Sequence, residues 1–175
     1  MKDKTAELKT VFSQNNLCIR GSGKLIEGVA VRQARVICDQ RGRLGEIMRA
    51  DDPWFEQFGQ VYFTTTYPGV VKAWHCHKKQ TDHIYVVRGT LKIALYDGRD
   101  GCSTAGVVNE LYLGEDCRGL LRVPPGVYHG WMCVSCGEAC VVNVPSETYD
   151  YSNPDEFRTD PHDNDIPYDW TRRDG

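Results

Sequence analysis

The sequence predicts an all-β fold, a sandwich or barrel of short strands without crossover helices. Beyond residue 60, strand-like segments recur at intervals of about 8 to 12 residues, among them HIYVVRGTLKIALYDG, VVNELYLG, GLLRVPP and YHGWMCVS, and Gly, Pro, Asn or Asp separates them. Upstream, VAVRQARVICD alternates apolar with polar residues, the period of a strand with one buried face. With 175 residues and 41% hydrophobic content, the chain is long enough for one well-filled domain and short for two.

Taken in order, residues 1–16 read as a short polar helix or an ordered arm with a weak apolar face, and residues 1–28 as an N-terminal arm without chemistry. From Val29 to Met48 the pattern is β, with the turn QRGRLG leading into EIMR. DDPWFEQFG then has the residues for one helical turn, capped by Asp51 or Asp52 with Pro53 at its first position. The barrel domain is expected over 29–151. The acidic segment 152–175 cannot build a core of its own, yet Phe157, Ile166, Tyr168 and Trp170 predict that it packs across the barrel.

Net charge is −3, from 21 basic and 24 acidic residues without long runs of either sign, so neither nucleic acid nor an anionic membrane is an expected partner. No apolar run approaches membrane-spanning length, and MKDKTAELKT lacks the apolar core of a signal peptide; a soluble, cytoplasmic protein is expected. Eight cysteines are many for this size, but without a secretion signal they read as free thiols. CVSCGEAC holds one C-x-x-C with no second pair to complete a tetrahedral site. Cys133, Cys136 and Cys140 are therefore expected as small buried residues at a hairpin, with Gly137 in the turn.

The stretch GVVKAWHCHKKQTDHIYVVRG, Gly69 to Gly89, carries the chemistry. In a strand His75 and His77 project from one face while Cys76 points away, and Asp82 follows. A second stretch, GLLRVPPGVYH, places His129 behind a Pro-Pro-Gly turn. Together they resemble the paired motifs of the cupin barrel, a double-stranded β-helix or jelly roll, which implies that His75, His77, Asp82 and His129 share one cavity. Neutral imidazoles plus a carboxylate are also a common ligand set for iron, manganese, nickel or zinc, and His75, His77, Asp82 and His129 match the four ligand positions of metal-binding cupins.

More specifically, DQRGRLGEI, QVYFTTTYPGVVKAWH, VPPGVYHGW and ETYDYSNPDE resemble the RmlC-like dTDP-4-dehydrorhamnose 3,5-epimerases of the cupin superfamily, and the likeness runs from about Val29 to Trp170. The resemblance implies an isomerase of surface-polysaccharide or deoxysugar biosynthesis acting on a nucleotide sugar with a ketone at C4. His75 would be the base that removes a C3 or C5 proton, and Tyr149, ahead of Tyr151, the acid on the opposite ring face. Lys72 stands where the family has an arginine that holds the enolate or substrate, Arg41 matches the diphosphate-binding arginine, and His129 matches the second cavity histidine. Gln60, His77 and Tyr151 complete the implied substrate-binding set. The resemblance also implies a homodimer, in which Arg41 could act in trans, and no metal or other cofactor.

Three positions depart from the family pattern. Asp82 replaces a lysine, Val142 replaces a tyrosine, and no L-S-x-K-D segment supplies the aspartate that orients the base, which makes Asp82 the first candidate for that role. Alternatives are a dTDP-sugar 3,4-ketoisomerase, whose H-A-H-K resembles HCHK here, a metal-dependent cupin enzyme and a non-catalytic sugar-nucleotide binder. His83 is read more often as structural than functional. Trp74 and Trp131 read as core packing, Arg172 and Arg173 as tail charges, and His162 has no role.

Overall fold

The computed structural model describes residues 7–14 and 16–172. Among them are fourteen strands and no helix: β1 Lys9–Gln14, β2 Leu17–Gly21, β3 Ala30–Gln33, β4 Val36–Asp39, β5 Gly42–Gly45, β6 Tyr62–Thr66, β7 Val71–Cys76, β8 Asp82–Arg88, β9 Thr90–Asp97, β10 Val108–Gly114, β11 Gly119–Val123, β12 Val127–Cys133, β13 Ala139–Asn143 and β14 Phe157–Arg158. A seven-stranded sheet in the order β1-β2-β10-β9-β12-β7-β14 faces a five-stranded sheet in the order β3-β11-β8-β13-β6, all pairs antiparallel. This is the jelly roll that the motifs imply. No helix among these residues is long and apolar enough to cross a membrane.

Strand alternation explains the two hydrophobic clusters. On β9, Leu91, Ile93 and Leu95 turn inward, where they join a core with Ile84 and Val86 of β8, Leu111 and Leu113 of β10, and Val141 of β13. Ala94 turns the other way, into a second cluster with Trp74, Met132, Ile166, Tyr168 and Trp170. The C-terminal segment thus covers the outer face of the large sheet. Trp170 is 1% exposed, its ring 5.1 Å from that of Trp74, and its carbonyl accepts a 2.9 Å bond from the buried Lys92 Nζ.

Several local expectations need correction. Residues 9–14 form a strand and not a helix, because β1 pairs with β2 and so continues the large sheet past β10; residues 1–6 and 15 lie outside the described set. DDPWFEQFG makes a single turn: Asp52 Oδ1 accepts from Trp54 N at 3.0 Å and the Asp52 carbonyl from Phe55 N at 2.9 Å, and Pro53 carries it no further. All eight cysteines are free, as expected. Cys133 is buried at the β12–β13 hairpin, but Cys136 sits at its exposed tip.

Two glycines hold the histidine strands in place. Gly126, at φ 80° in the Pro-Pro-Gly turn, donates its N–H to the His77 carbonyl at 2.7 Å, tying the turn before β12 to the end of β7. Gly130 lies where β7 bulges against β12. A Cβ there would come within 2.3 Å of Ala73 Cβ, so only glycine allows the strands that carry His75 and His129 to pair this closely.

Candidate active site

A cavity of about 800 Å³ opens between the two sheets, and β7, β12, β6 and the returning C-terminal segment wall it. Alternation on β7 turns His75 and His77 into it while Trp74 is buried under the tail. On β12, His129 is the register partner of His75, and their rings stand 6.0 Å apart at 86°. Asp82, the first residue of β8, is buried behind the lining residues His77, Gln80, His129 and Asn143, with 1% of its surface exposed.

Asp82 does not orient His75, the role first expected of it. Its Oδ2 lies 3.3 Å from His77 Nε2 and 3.2 Å from His129 Nε2, while Gln80 Nε2 and Asn143 Nδ2 donate to Oδ1 at 2.8 and 2.7 Å. β7 and β12 simply bring those two rings over the carboxylate and leave His75 one pleat away. Burial opposes the charge on Asp82, but the two imidazoles outweigh it and hold the carboxyl far below its usual range. Burial likewise opposes charge on His77, yet Asp82 raises it to about 8.

His77 Nδ1 bonds the Asp155 carbonyl, and His129 Nδ1 lies 3.2 Å from the Val127 carbonyl. The Asp155 carboxylate also accepts from the backbone N–H of Lys78, Lys79 and Gln80, so the C-terminal return clamps the loop after β7.

His75 is different. No carboxylate bonds its ring among the described residues; Trp131 stands edge-on to it at 6.3 Å, and Arg158 of β14 is its register partner on the other side. Burial, then His129 and Arg158, push it down to about 3, so the ring is neutral at ordinary pH.

The remaining expected residues divide. Lys72, Gln60, Tyr149 and Tyr151 line the cavity. Lys72 Nζ donates to Thr64 Oγ1 at 2.9 Å and the Thr65 carbonyl at 2.6 Å, and Gln60 Oε1 accepts from Tyr149 N at 3.3 Å. The Tyr149 and Tyr151 rings meet edge-on at 5.0 Å, with Tyr149 37% and Tyr151 91% exposed. Arg41 is not in the chain's own cavity. It sits at the tip of the separate β4–β5 hairpin, paired with Asp39, because that hairpin joins neither sheet. His83 faces away from the cavity, its Nδ1 bonded to the Val144 carbonyl at 3.0 Å.

Sequence reasoning missed Tyr62, Asn143 and Arg158. Asn143 Nδ2 donates to Tyr62 Oη at 3.0 Å, and burial, then Asp82, raise the Tyr62 phenol to about 12. The signal for Asn143 was one residue away: Val142 departs from the family pattern, and strand alternation turns its neighbour inward. Arg158 was hidden because a two-residue strand in an acidic tail carries no period.

The sequence pattern of the dTDP-4-dehydrorhamnose 3,5-epimerase family matches residues 24–174. The chain belongs to this family. It is a sugar epimerase, and so an isomerase, of RmlC-like cupin fold. It is 37% identical over 146 residues to the probable low-salt glycan biosynthesis epimerase Agl13 of Haloferax volcanii, covering 82% of this chain and 89% of that one. The spore coat polysaccharide biosynthesis protein SpsL of Bacillus subtilis is 35% identical over 146 residues, 83% of this chain and 97% of its own. The crystal structure of a dTDP sugar isomerase from Desulfovibrio desulfuricans G20 superposes with a TM-score of 0.80 at 32% identity, covering 85% of this chain and 94% of that one.

Proposed function

We propose that this epimerase inverts C3, C5 or both of a dTDP-linked 4-keto sugar in the cytoplasm, supplying a sugar for surface polysaccharide. The supporting observation is a half-buried, neutral imidazole, His75, that projects into a cavity shared with Lys72 and three phenols. A proton on a carbon beside a ketone becomes removable when the resulting enolate oxygen is stabilised, and a neutral ring can take it. A ring this weakly basic accepts a proton when negative charge arrives beside it, and the enolate and the substrate's diphosphate both bring such charge.

Inversion requires that the proton return from the other ring face. Tyr149 is the proposed acid, at the cavity rim beside Tyr151 and held through its backbone by Gln60. A second reading gives the task to Tyr62: its oxygen accepts from Asn143, which leaves its own proton free to donate, and its raised pKa keeps that proton in place. Lys72, which lines the cavity, is the proposed partner of the enolate or diphosphate. In a homodimer the β4–β5 hairpin, with Ile37 52% and Leu44 63% exposed, would carry Arg41 to the other copy's cavity.

The test is incubation with a dTDP-4-keto-6-deoxy sugar in heavy water, followed by NMR. Deuterium at C3, C5 or both with inverted configuration is expected. Deuterium at C4 with the ketone moved to C3 would instead show a ketoisomerase, and no deuterium a binder.

A further inference from the structure

We infer that His77, Asp82 and His129 form a binding site for one divalent first-row transition-metal ion per chain, with His75 left outside the ligand set. One ligand atom from each of the three lies within 4.8 Å of the others. The protonation pattern makes this more than a cluster. Both Nδ1 atoms face backbone carbonyls, of Asp155 and Val127, so both must carry the ring's proton. Once any proton on Nε2 is displaced, each ring presents a lone pair there to an ion. Asp82 adds a third lone pair at Oδ2, since Oδ1 is occupied by Gln80 and Asn143. A buried carboxylate facing two imidazole nitrogens calls for positive charge between them, and a divalent ion can supply it in place of a proton.

Two of the three ligand separations match those found around an ion. Donors on an ion at about 2.1 Å stand about 3.0 to 3.4 Å apart in tetrahedral or octahedral geometry. The observed separations are 3.2 and 3.3 Å. Charge-assisted bonds from nitrogen to a carboxylate are about 2.7 to 2.9 Å. Asp82 Oδ2 is moreover a fully buried oxygen to which no group is aligned to donate. Carbonyl partners behind each histidine, and amides behind the carboxylate, are the surroundings that orient metal ligands.

Two imidazoles and one carboxylate favour iron, cobalt, nickel, zinc or manganese over magnesium or calcium. His77 and His129 line the cavity, so the open coordination positions would face the space beside His75, where a carbonyl or enolate oxygen of a substrate could bind. The lysine of the family pattern at position 82 would repel a cation; the aspartate attracts one. Binding of the ion does not rest on the identity of the sugar.

The protein, stripped with a chelator and dialysed, is titrated with Co²⁺ or Zn²⁺ alone by calorimetry, and Co²⁺ uptake is followed by its visible absorption. One equivalent should bind with Kd below about 10 µM. Asp82→Asn and His77→Gln should each weaken binding by about 100-fold or more, and His75→Asn by less than about threefold. Nitrogen NMR of the wild-type protein needs no variant: added Zn²⁺ should shift both Nε2 signals of the two histidines and leave that of His75. Uptake below a tenth of an equivalent at about 100 µM metal, binding undiminished in a folded Asp82→Asn protein, or Nε2 atoms that stay protonated with Zn²⁺ present would each overturn the assignment.

Discussion

His75 and His129 are partners across the β7–β12 ladder, yet only His129 reaches Asp82. The pair therefore splits into two environments. One histidine is drawn into a carboxylate cluster with His77; the other stands against Trp131 and Arg158 without an acid, and stays neutral. The neutral one is the proposed acceptor of the substrate's carbon-bound hydrogen.

The two phenols can be told apart by separating proton removal from proton return. Tyr149→Phe should lower epimerisation by about 10²- to 10⁴-fold while His75 still exchanges substrate hydrogen for solvent deuterium on its own face. Tyr62→Phe should cost less than about tenfold in the same assay. The reverse ranking would move the acid to Tyr62.

Acid stability should depend on Asp97. Burial would raise its pKa, but bonds from Arg99 and Thr104 outweigh this and bring it from the ordinary 3.8 to about 2. A carboxyl depressed in the folded state stabilises above its ordinary value, and that contribution, about 2 kcal/mol, is lost as pH falls from about 4 to about 2. Urea unfolding of the wild type and of Asp97→Asn should therefore differ by about that amount at pH 6 and converge towards pH 2. A gap unchanged with pH would contradict the assignment.

The C-terminal return should be a structural part of the fold. Trp170 packs between Trp74 at 5.1 Å and Tyr168 at 4.9 Å. Trp170→Ala should cost about 3 to 5 kcal/mol in denaturant unfolding. A loss under about 1 kcal/mol would mean that the segment only rests on the sheet.

Much of this was legible in the sequence because strands announce themselves by a period of two. His75 and His77 share a face for that reason, and the Pro-Pro-Gly turn marks the start of β12 through Gly126. The aromatic residues of the tail likewise betray its packing. What could not be read was lateral register. Whether Asp82 lies under His75 or under its neighbours is decided by how β8 sits beneath β7 and β12, a relation between distant segments. The hairpin bearing Arg41 shows the same limit, since its strands are evident but their failure to join either sheet is not. Arg158 reaches the cavity through pairing alone.

The most direct measurement compares the wild type with His75→Asn, folded as judged by circular dichroism, in heavy water with a dTDP-4-keto-6-deoxy sugar. The wild type should place solvent deuterium at C3, C5 or both, and the variant should slow this exchange by at least about 10²-fold. Exchange at an undiminished rate in the variant would contradict the role of His75 as the base.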